Sequence, residues 1–140
     1  MADHNYNKLT SITLNQLREI VGNDFLSVDA EQIERYGQDE TEDLLFRAEA
    51  VVKPQTVEQV AALAAFCNEH QIPLTTRGAG TGLSGGALPV KGGIVLSMEK
   101  FNRILNIDER NLQATVEPGV INYVFQEEVK KLGLFYPPDP

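Results

Sequence analysis

The sequence predicts an α/β fold (α+β in some schemes) that combines a βαβ unit, an antiparallel hairpin and packed helices. Two observations predict it: short apolar runs alternate with capped amphipathic segments, and a glycine-rich stretch separates two of the apolar runs. A third observation sets the scale. The chain has 140 residues, 42% hydrophobic and 23% charged, which is typical of one folded domain.

Residues 1–47 are predicted to form a helical lead-in with two short helices. The first follows a capping box at residues 13–16 and ends at Gly22, and the second runs from Asp29 to Gly37. The acidic run 39–43 that follows is typical of a solvated loop and not of a metal site. The apolar side chains expected to face the core are Leu14, Leu17, Val21, Ile33 and Tyr36.

A βαβ unit is predicted next, with a strand at residues 48–52, a helix from a second capping box at 56–59 to about His70, and a strand at 73–76. Connections of this kind are right-handed in nearly all proteins. The inward stripe of the helix is expected to comprise Val57, Val60, Ala64 and Cys67. We interpret Cys67 as a small core residue, not as a nucleophile.

The last third of the chain is predicted to hold a strand at 94–98 and a hairpin of strands 103–107 and 112–116 around the turn 108–111. A Pro118-Gly119 turn leads into a helix that ends at Gly133 and is supported by an i,i+4 pair of Glu127 and Lys131. Its apolar face is expected to be formed by Ile121, Val124, Phe125, Val129 and Leu132, and Phe135 is also expected in the core.

Charge and composition exclude several functions. The net charge is −8, and residues 1–70 account for all of it, so nucleic acid and anionic membrane surfaces are poor partners. One cysteine permits neither an intramolecular disulfide nor a Cys/His metal cluster. No apolar run is long enough for a membrane span or a signal peptide, so we expect a cytoplasmic protein. His4 and His70 have no motif partner, and we assign no catalytic residue.

The strongest functional signal is the glycine-rich loop Arg77-Gly78-Ala79-Gly80-Thr81-Gly82-Leu83-Ser84-Gly85-Gly86. Glycines allow successive backbone N–H groups to face one concavity, and such a nest binds phosphate oxygens. The hydroxyls of Thr81 and Ser84 add possible donors, and Arg77 adds a cation at the rim.

Residues 80–85 match G-x-G-x-x-G, but the context excludes a Rossmann site. That fingerprint needs a helix directly after it, whereas Pro89, Gly92 and Gly93 prevent a helix here and a strand follows. No Gly-Lys-Ser/Thr follows either, which excludes a P-loop. Any phosphate must therefore be held by the loop itself.

An ordered set of four motifs resembles a known family. They are Val51-Val52-Lys53-Pro54, the loop 77–87, Val116-Glu117-Pro118-Gly119-Val120, and Gly133-Leu134-Phe135-Tyr136-Pro137-Pro138-Asp139-Pro140. From residue 48 to 140 the chain resembles the FAD-binding domain of the vanillyl-alcohol oxidase and p-cresol methylhydroxylase class. Within that class it resembles the FAD-linked glycolate oxidase subunits and the D-lactate and D-2-hydroxyglutarate dehydrogenases.

The resemblance implies roles for three segments. The loop resembles the pyrophosphate-binding loop, the turn 118–120 a segment beside the adenine and ribose, and residues 137–140 the start of a stretch near the flavin. The implied cofactor contacts are Arg77, Gly78, Ala79, Gly80, Thr81, Gly82, Leu83, Ser84, Gly85, Gly86, Pro118, Gly119, Val120, Pro138 and Asp139.

The implied activity of the parent protein is FAD-dependent oxidation of a small D-2-hydroxy acid to the 2-oxo acid. The electrons then pass to a separate acceptor, for which the resemblance offers an electron-acceptor protein subunit. Family members continue through further flavin contacts and a substrate domain. We therefore expect this chain to be an N-terminal fragment, with FAD bound weakly or not at all and no activity alone. Two other interpretations stay open: a stand-alone nucleotide- or phosphate-binding module, and a structural or interaction domain with an empty glycine loop.

Overall fold

The computed structural model describes residues 5–138. Asp139 and Pro140, which the sequence assigns near the flavin, lie outside this range. In the described part, the helices are α1 (Ser11–Val21), α2 (Ala30–Tyr36), α3 (Val57–Glu69) and α4 (Asn122–Lys131). The strands are β1 (Leu26–Ser27), β2 (Ala50–Val52), β3 (Leu74–Arg77), β4 (Ile94–Ser97), β5 (Ile104–Asp108) and β6 (Gln113–Val116).

A four-stranded sheet in the order β1-β2-β4-β3 is the centre of the fold. β4 pairs in parallel with both neighbours, and Val95 lies opposite Val51 on one side and Thr75 on the other. The predicted α/β class and βαβ unit are confirmed, with β4 inserted between the two strands of that unit. The short edge strand β1, antiparallel to β2, was not predicted because two residues give no periodicity.

The connection from β3 to β4 is unusual because no helix crosses over between these adjacent parallel strands. Parallel neighbours need a crossover of a dozen or more residues, which in most proteins contains a helix. Here residues 78–93, which include the glycine-rich loop, form the whole crossover. The loop therefore begins at the carboxyl edge of the sheet and returns to its amino edge.

The core lies on both faces of the sheet. Alternate strand residues point to opposite faces. On one face Ile94 and Leu96 pack against Leu63 of α3 and Leu17 of α1, and on the other face Val95 packs against Tyr36 of α2. The predicted inward positions of α1 and α2 are therefore confirmed.

The helix start and the inward stripe were predicted incorrectly at two points. The α1 capping box joins Thr10 to Thr13, one turn before the predicted box, because the Thr10 side chain accepts the Thr13 N–H. In α3, Val57 is 69% exposed, and Leu63, Phe66 and Cys67 are the buried residues. Cys67 is thus buried as predicted, whereas the larger Leu63 and Phe66 take the place of Val57 on the buried face.

Cys67 is a buried core thiol, as predicted. Desolvation by burial raises its pKa to about 11. At neutral pH the thiol is therefore protonated and a poor nucleophile.

The C-terminal third packs less tightly than the sequence predicts. The hairpin β5–β6 forms a separate two-stranded sheet, and every residue of β6 is exposed. Val129 is the buried residue of α4, while Phe135 is 85% exposed, which overturns its predicted core position. The predicted Glu127–Lys131 pair is also replaced: Glu127 binds Lys130 at 3.4 Å, and Lys131 binds Glu128. Gly133 ends the helix as predicted, at φ +74°.

Within the described range, no helix is both long and apolar enough to cross a membrane.

Two glycines with positive φ provide a stability test. A Cβ on Gly93 (φ +67°) would lie 2.2 Å from the Pro73 carbonyl oxygen, whereas a Cβ on Gly133 (φ +74°) would meet no atom within 4 Å. Gly133→Ala should cost about 1–2 kcal/mol from backbone strain alone. Gly93→Ala adds overpacking and should cost roughly 2–5 kcal/mol. Urea denaturation measures the free energy of unfolding of both variants. Equal losses of that free energy in the two variants would contradict the close contact at Gly93.

Candidate phosphate-binding site

The candidate site lies at the carboxyl edge of the parallel strands. Lys53 follows β2, Arg77 ends β3, and Glu99 follows β4 by two residues. The glycine loop starts from this same edge. In open parallel sheets, ligands bind outside the carboxyl ends of the strands.

The glycine loop exposes backbone donors. Across the described residues, no intramolecular hydrogen bond uses the N–H groups of residues 79–84, and the first loop amide with a partner is that of Gly85. Thr81 and Ser84 are exposed. Gly80 and Gly85 have φ of +79° and +69°, which redirect the backbone within the loop. The arrangement presents a run of neutral donors that suits phosphate oxygens.

Arg77 points under the loop and not along its rim. Its guanidinium donates a hydrogen bond to the Gln38 carbonyl, and the guanidinium carbon lies 5.5 Å from the centre of the Tyr36 ring. A Cβ on Gly80 would lie 2.0 Å from Arg77 Nη2, so the guanidinium occupies the space that a side chain at Gly80 would enter. Arg77 thus supports the loop from below, and its contact with a phosphate stays a prediction.

The second predicted segment, the turn 118–120, lies beside the start of the loop. A Cβ on Gly78 would be 4.0 Å from the Pro118 carbonyl oxygen. Gly119 donates its N–H to the Phe101 carbonyl at 2.7 Å, and a Cβ there would lie 2.2 Å from the Met98 carbonyl oxygen. Close packing of Gly119 fixes the turn next to the loop.

The side chain of Glu117 holds the base of the hairpin beside this turn. Glu117 is 8% exposed and accepts hydrogen bonds from the Arg103 backbone N–H at 2.8 Å and from Arg103 Nη2 at 2.6 Å. The Arg103 side chain, and then its backbone N–H, lower the pKa of Glu117. Glu117 therefore stays charged at neutral pH and anchors the strand before the turn.

The third predicted segment packs against α4. The Pro138 carbonyl accepts a hydrogen bond from Asn122 Nδ2 at 2.8 Å, and Tyr136 stacks edge-on with Phe125 at 4.9 Å between ring centres. A cavity of about 550 Å³ lies between this tail, α4 and the hairpin. Of the predicted cofactor contacts that fall within residues 5–138, Val120 is the one that lines it.

Sequence reasoning missed a polar cluster below the loop. The Tyr36 hydroxyl and the Ser97 hydroxyl both donate to Glu99 Oε2, and Lys53 Nζ lies 3.0 Å from Glu99 Oε1. Desolvation raises the pKa of Glu99, but the hydrogen bonds from Tyr36 and Lys53 outweigh it and bring the pKa below its usual value. The sequence signal for this cluster was Lys53, a lysine directly after an apolar strand. Its partner Glu99 is distant in the sequence, so the pairing could not be predicted.

The acidic loop contributes to the site through Asp39. The Asp39 carboxylate accepts the Thr41 N–H at 2.9 Å, and no cluster of His, Cys, Asp or Glu suited to a metal ion occurs among residues 5–138. Partial desolvation raises the pKa of Asp39. The hydrogen bonds from Thr41 and the charge of Arg77 lower it by more, so that the pKa lies below its usual value.

Comparisons with known proteins show the family of the chain. The family model of the FAD binding domain matches residues 48–140, and the chain belongs to this family. The chain is 44% identical over 105 residues to glycolate oxidase subunit GlcD of Bacillus subtilis, covering 75% of the chain and 22% of that protein. It is 36% identical over 145 residues to D-lactate dehydrogenase of Anaerostipes hadrus, covering 100% of the chain and 30% of that protein.

Solved structures give the same fold. p-Cresol methylhydroxylase superposes with a TM-score of 0.80 at 30% identity, over 92% of this chain and 27% of that one. Alkyldihydroxyacetonephosphate synthase superposes with a TM-score of 0.81 over 98% of this chain and 28% of that one, and its 16% identity supports the fold alone. The chain spans less than a third of the length of these curated relatives.

The residues of the loop fit the diphosphate of FAD. Its free N–H groups point to no protein acceptor within the described structure, and the exposed hydroxyls of Thr81 and Ser84 add donors beside them. Successive backbone N–H groups can bind an anion by themselves. The identity of each contact residue stays a prediction.

The lowered pKa of Glu117 makes its contribution to stability dependent on pH. A carboxyl whose pKa falls on folding stabilises the protein above its unfolded pKa of about 4.3, and the effect is lost as the pH falls through the lower folded value. Glu117→Gln should therefore lower the unfolding midpoint temperature at pH 7. The difference from the unsubstituted chain should shrink below about pH 4. Thermal scans from pH 7 to pH 3 measure it.

Glu109→Gln, on the exposed hairpin turn, is the matched control and should leave the midpoint unchanged. A deficit of Glu117→Gln that persists undiminished at pH 3 would show that the charge is not what stabilises the hairpin base.

Proposed function

We propose that this chain is the diphosphate-binding part of a flavin-dependent oxidoreductase that oxidises a small D-2-hydroxy acid, of the glycolate, D-lactate or D-2-hydroxyglutarate class, to the 2-oxo acid. The observation that carries the proposal is the run of unpartnered backbone amides in residues 79–84 at the carboxyl edge of the sheet. The glycolate oxidase and D-lactate dehydrogenase relatives support the substrate class.

In this proposal the chain binds FAD and orients it. FAD, when bound, accepts the two electrons of the oxidation. The amides of residues 79–84 hold the diphosphate, and the turn 118–120 lies beside it. The parent protein passes the electrons on to a separate acceptor, which we propose to be another protein subunit. Residues that contact the hydroxy acid belong to segments that the longer relatives have beyond the part matched here.

The chain alone should bind phosphate compounds weakly. Each loop amide contributes a net of about 0.5–1.5 kcal/mol, or up to about 3 kcal/mol to a charged group. Association itself costs several kcal/mol. ADP should therefore bind the 140-residue chain with a dissociation constant in the millimolar range, and a titration with FAD should show no binding of micromolar affinity.

Gly82→Val tests the loop directly. Gly82 has no positive φ, and a Cβ there would have Asp39 Oδ2 at 3.9 Å as its nearest contact, so the fold should tolerate the change. The added isopropyl group blocks approach of a phosphate to the amides. In an NMR titration with ADP, the unsubstituted chain should shift its loop amides, and Gly82→Val should show no saturable shift.

Ala62→Val, on the exposed face of α3, adds comparable bulk away from the loop and should bind ADP normally. Unchanged ADP binding by Gly82→Val would place the phosphate elsewhere. In a protein that carries this chain together with the further segments of its relatives, the proposal also requires flavin absorbance and dye reduction with glycolate, D-lactate or D-2-hydroxyglutarate.

A further inference from the structure

The glycine loop is held from outside by a segment of the helical lead-in, residues 36–41, which lies before the matched family domain. We propose that this segment, here called the clamp, fixes the loop in its phosphate-binding shape, and that Thr41 is its principal positioning residue. The inference rests on the proposed phosphate-binding role of the loop. It assigns a function to residues 39–41, which belong to the acidic run predicted to be a solvated loop.

The far end of the loop is tied to the clamp by Thr41. The Thr41 hydroxyl oxygen accepts the Gly85 N–H at 2.9 Å, across 44 positions of sequence. Thr41 is in turn fixed by Asp39, whose carboxylate oxygen Oδ1 accepts the Thr41 N–H at 2.9 Å. An Asp side chain bonded two residues ahead forms a tight turn of its own backbone. The Thr41 hydroxyl is therefore placed by the clamp and not by the loop.

The near end of the loop is tied to the same segment by Arg77. Its guanidinium donates to the Gln38 carbonyl and lies beneath Gly80, in the space that a Cβ at Gly80 would enter. Both ends of the run of free amides, residues 79–84, thus connect to residues 38–41. The run itself makes no hydrogen bond within the described chain, so these two ties set its shape.

The clamp is rigid at its base because Tyr36 is locked into the sheet edge. Tyr36 is 5% exposed, and its hydroxyl donates to Glu99, which also pairs with Lys53 at 3.0 Å. Its ring packs against Val51 and Val95 of the two central strands. Packing on β2 and β4 therefore fixes the position of the clamp, and the clamp fixes the position of the loop.

Preorganisation explains why such ties raise affinity without touching a ligand. A loop already held in its binding shape loses less conformational freedom when a ligand binds. Loss of one net hydrogen bond that holds the shape corresponds to about a tenfold loss of affinity. The effect should appear in binding and not in global stability, because Thr41 is half-buried at the surface.

The test compares Thr41→Val, Thr41→Ser and the control Thr115→Val in the 140-residue chain. Valine has the shape of threonine without the acceptor oxygen, serine keeps that oxygen, and Thr115 lies exposed on β6. Inorganic pyrophosphate is the probe, followed by NMR, and hydrogen exchange of the Gly85 amide is measured without ligand. Thr41→Val should bind pyrophosphate about tenfold more weakly and exchange the Gly85 amide faster. Thr41→Ser and Thr115→Val should match the unsubstituted chain in both measurements.

The outcomes separate the two proposals. Equal pyrophosphate affinity in Thr41→Val and the unsubstituted chain would overturn the clamp and leave the phosphate site standing. An unsubstituted chain that binds no pyrophosphate would overturn the phosphate site, and the clamp as a determinant of affinity with it. Failure of serine to rescue, or a Gly85 amide that exchanges equally fast in all chains, would also overturn the role of the Thr41 hydroxyl.

Discussion

Parallel pairing of β4 with both β2 and β3 is the constraint on which the rest of the structure depends. It brings three strand ends to one edge of the sheet, where Lys53, Arg77 and Glu99 lie. It also requires a connection from the end of β3 back to the start of β4, across the length of the sheet. The glycine-rich crossover 78–93 is that connection and contains no helix, so the same residues join β3 to β4 and present free amides at the sheet edge.

The sequence predicted the parts of this arrangement whose determinants are local. Capped helices, the apolar run of β4 and the turn Pro118-Gly119 follow from short patterns, and all three are found. The glycine loop was recognised because its composition is unusual, and its strand-to-strand context correctly excluded a Rossmann helix. The two-residue strand β1 and the insertion of β4 beside β2 depend on pairing across the fold, which periodicity cannot express.

Long-range polar contacts were beyond prediction for the same reason. Nothing near Thr41 indicates that its hydroxyl accepts a bond from Gly85, and nothing near Tyr36 indicates Glu99 as its partner. Phe135 shows the opposite error. An aromatic residue is more often buried than exposed, but the short hairpin and α4 leave this one 85% in solvent. Composition thus indicated the loop as a candidate site, and only the structure revealed what supports the loop.

The helix-free crossover also couples ligand binding to the integrity of the sheet. A helical crossover would be ordered by its own hydrogen bonds, whereas residues 79–84 obtain none from the described chain. An anion that joins those amides would act as a missing structural partner for the β3–β4 connection. By mass action, any molecule that binds only the folded state stabilises it by RT ln(1 + [L]/Kd). Under the proposed function, occupancy of the loop and the thermal stability of the domain would therefore be a single linked equilibrium, and cofactor supply would promote folding.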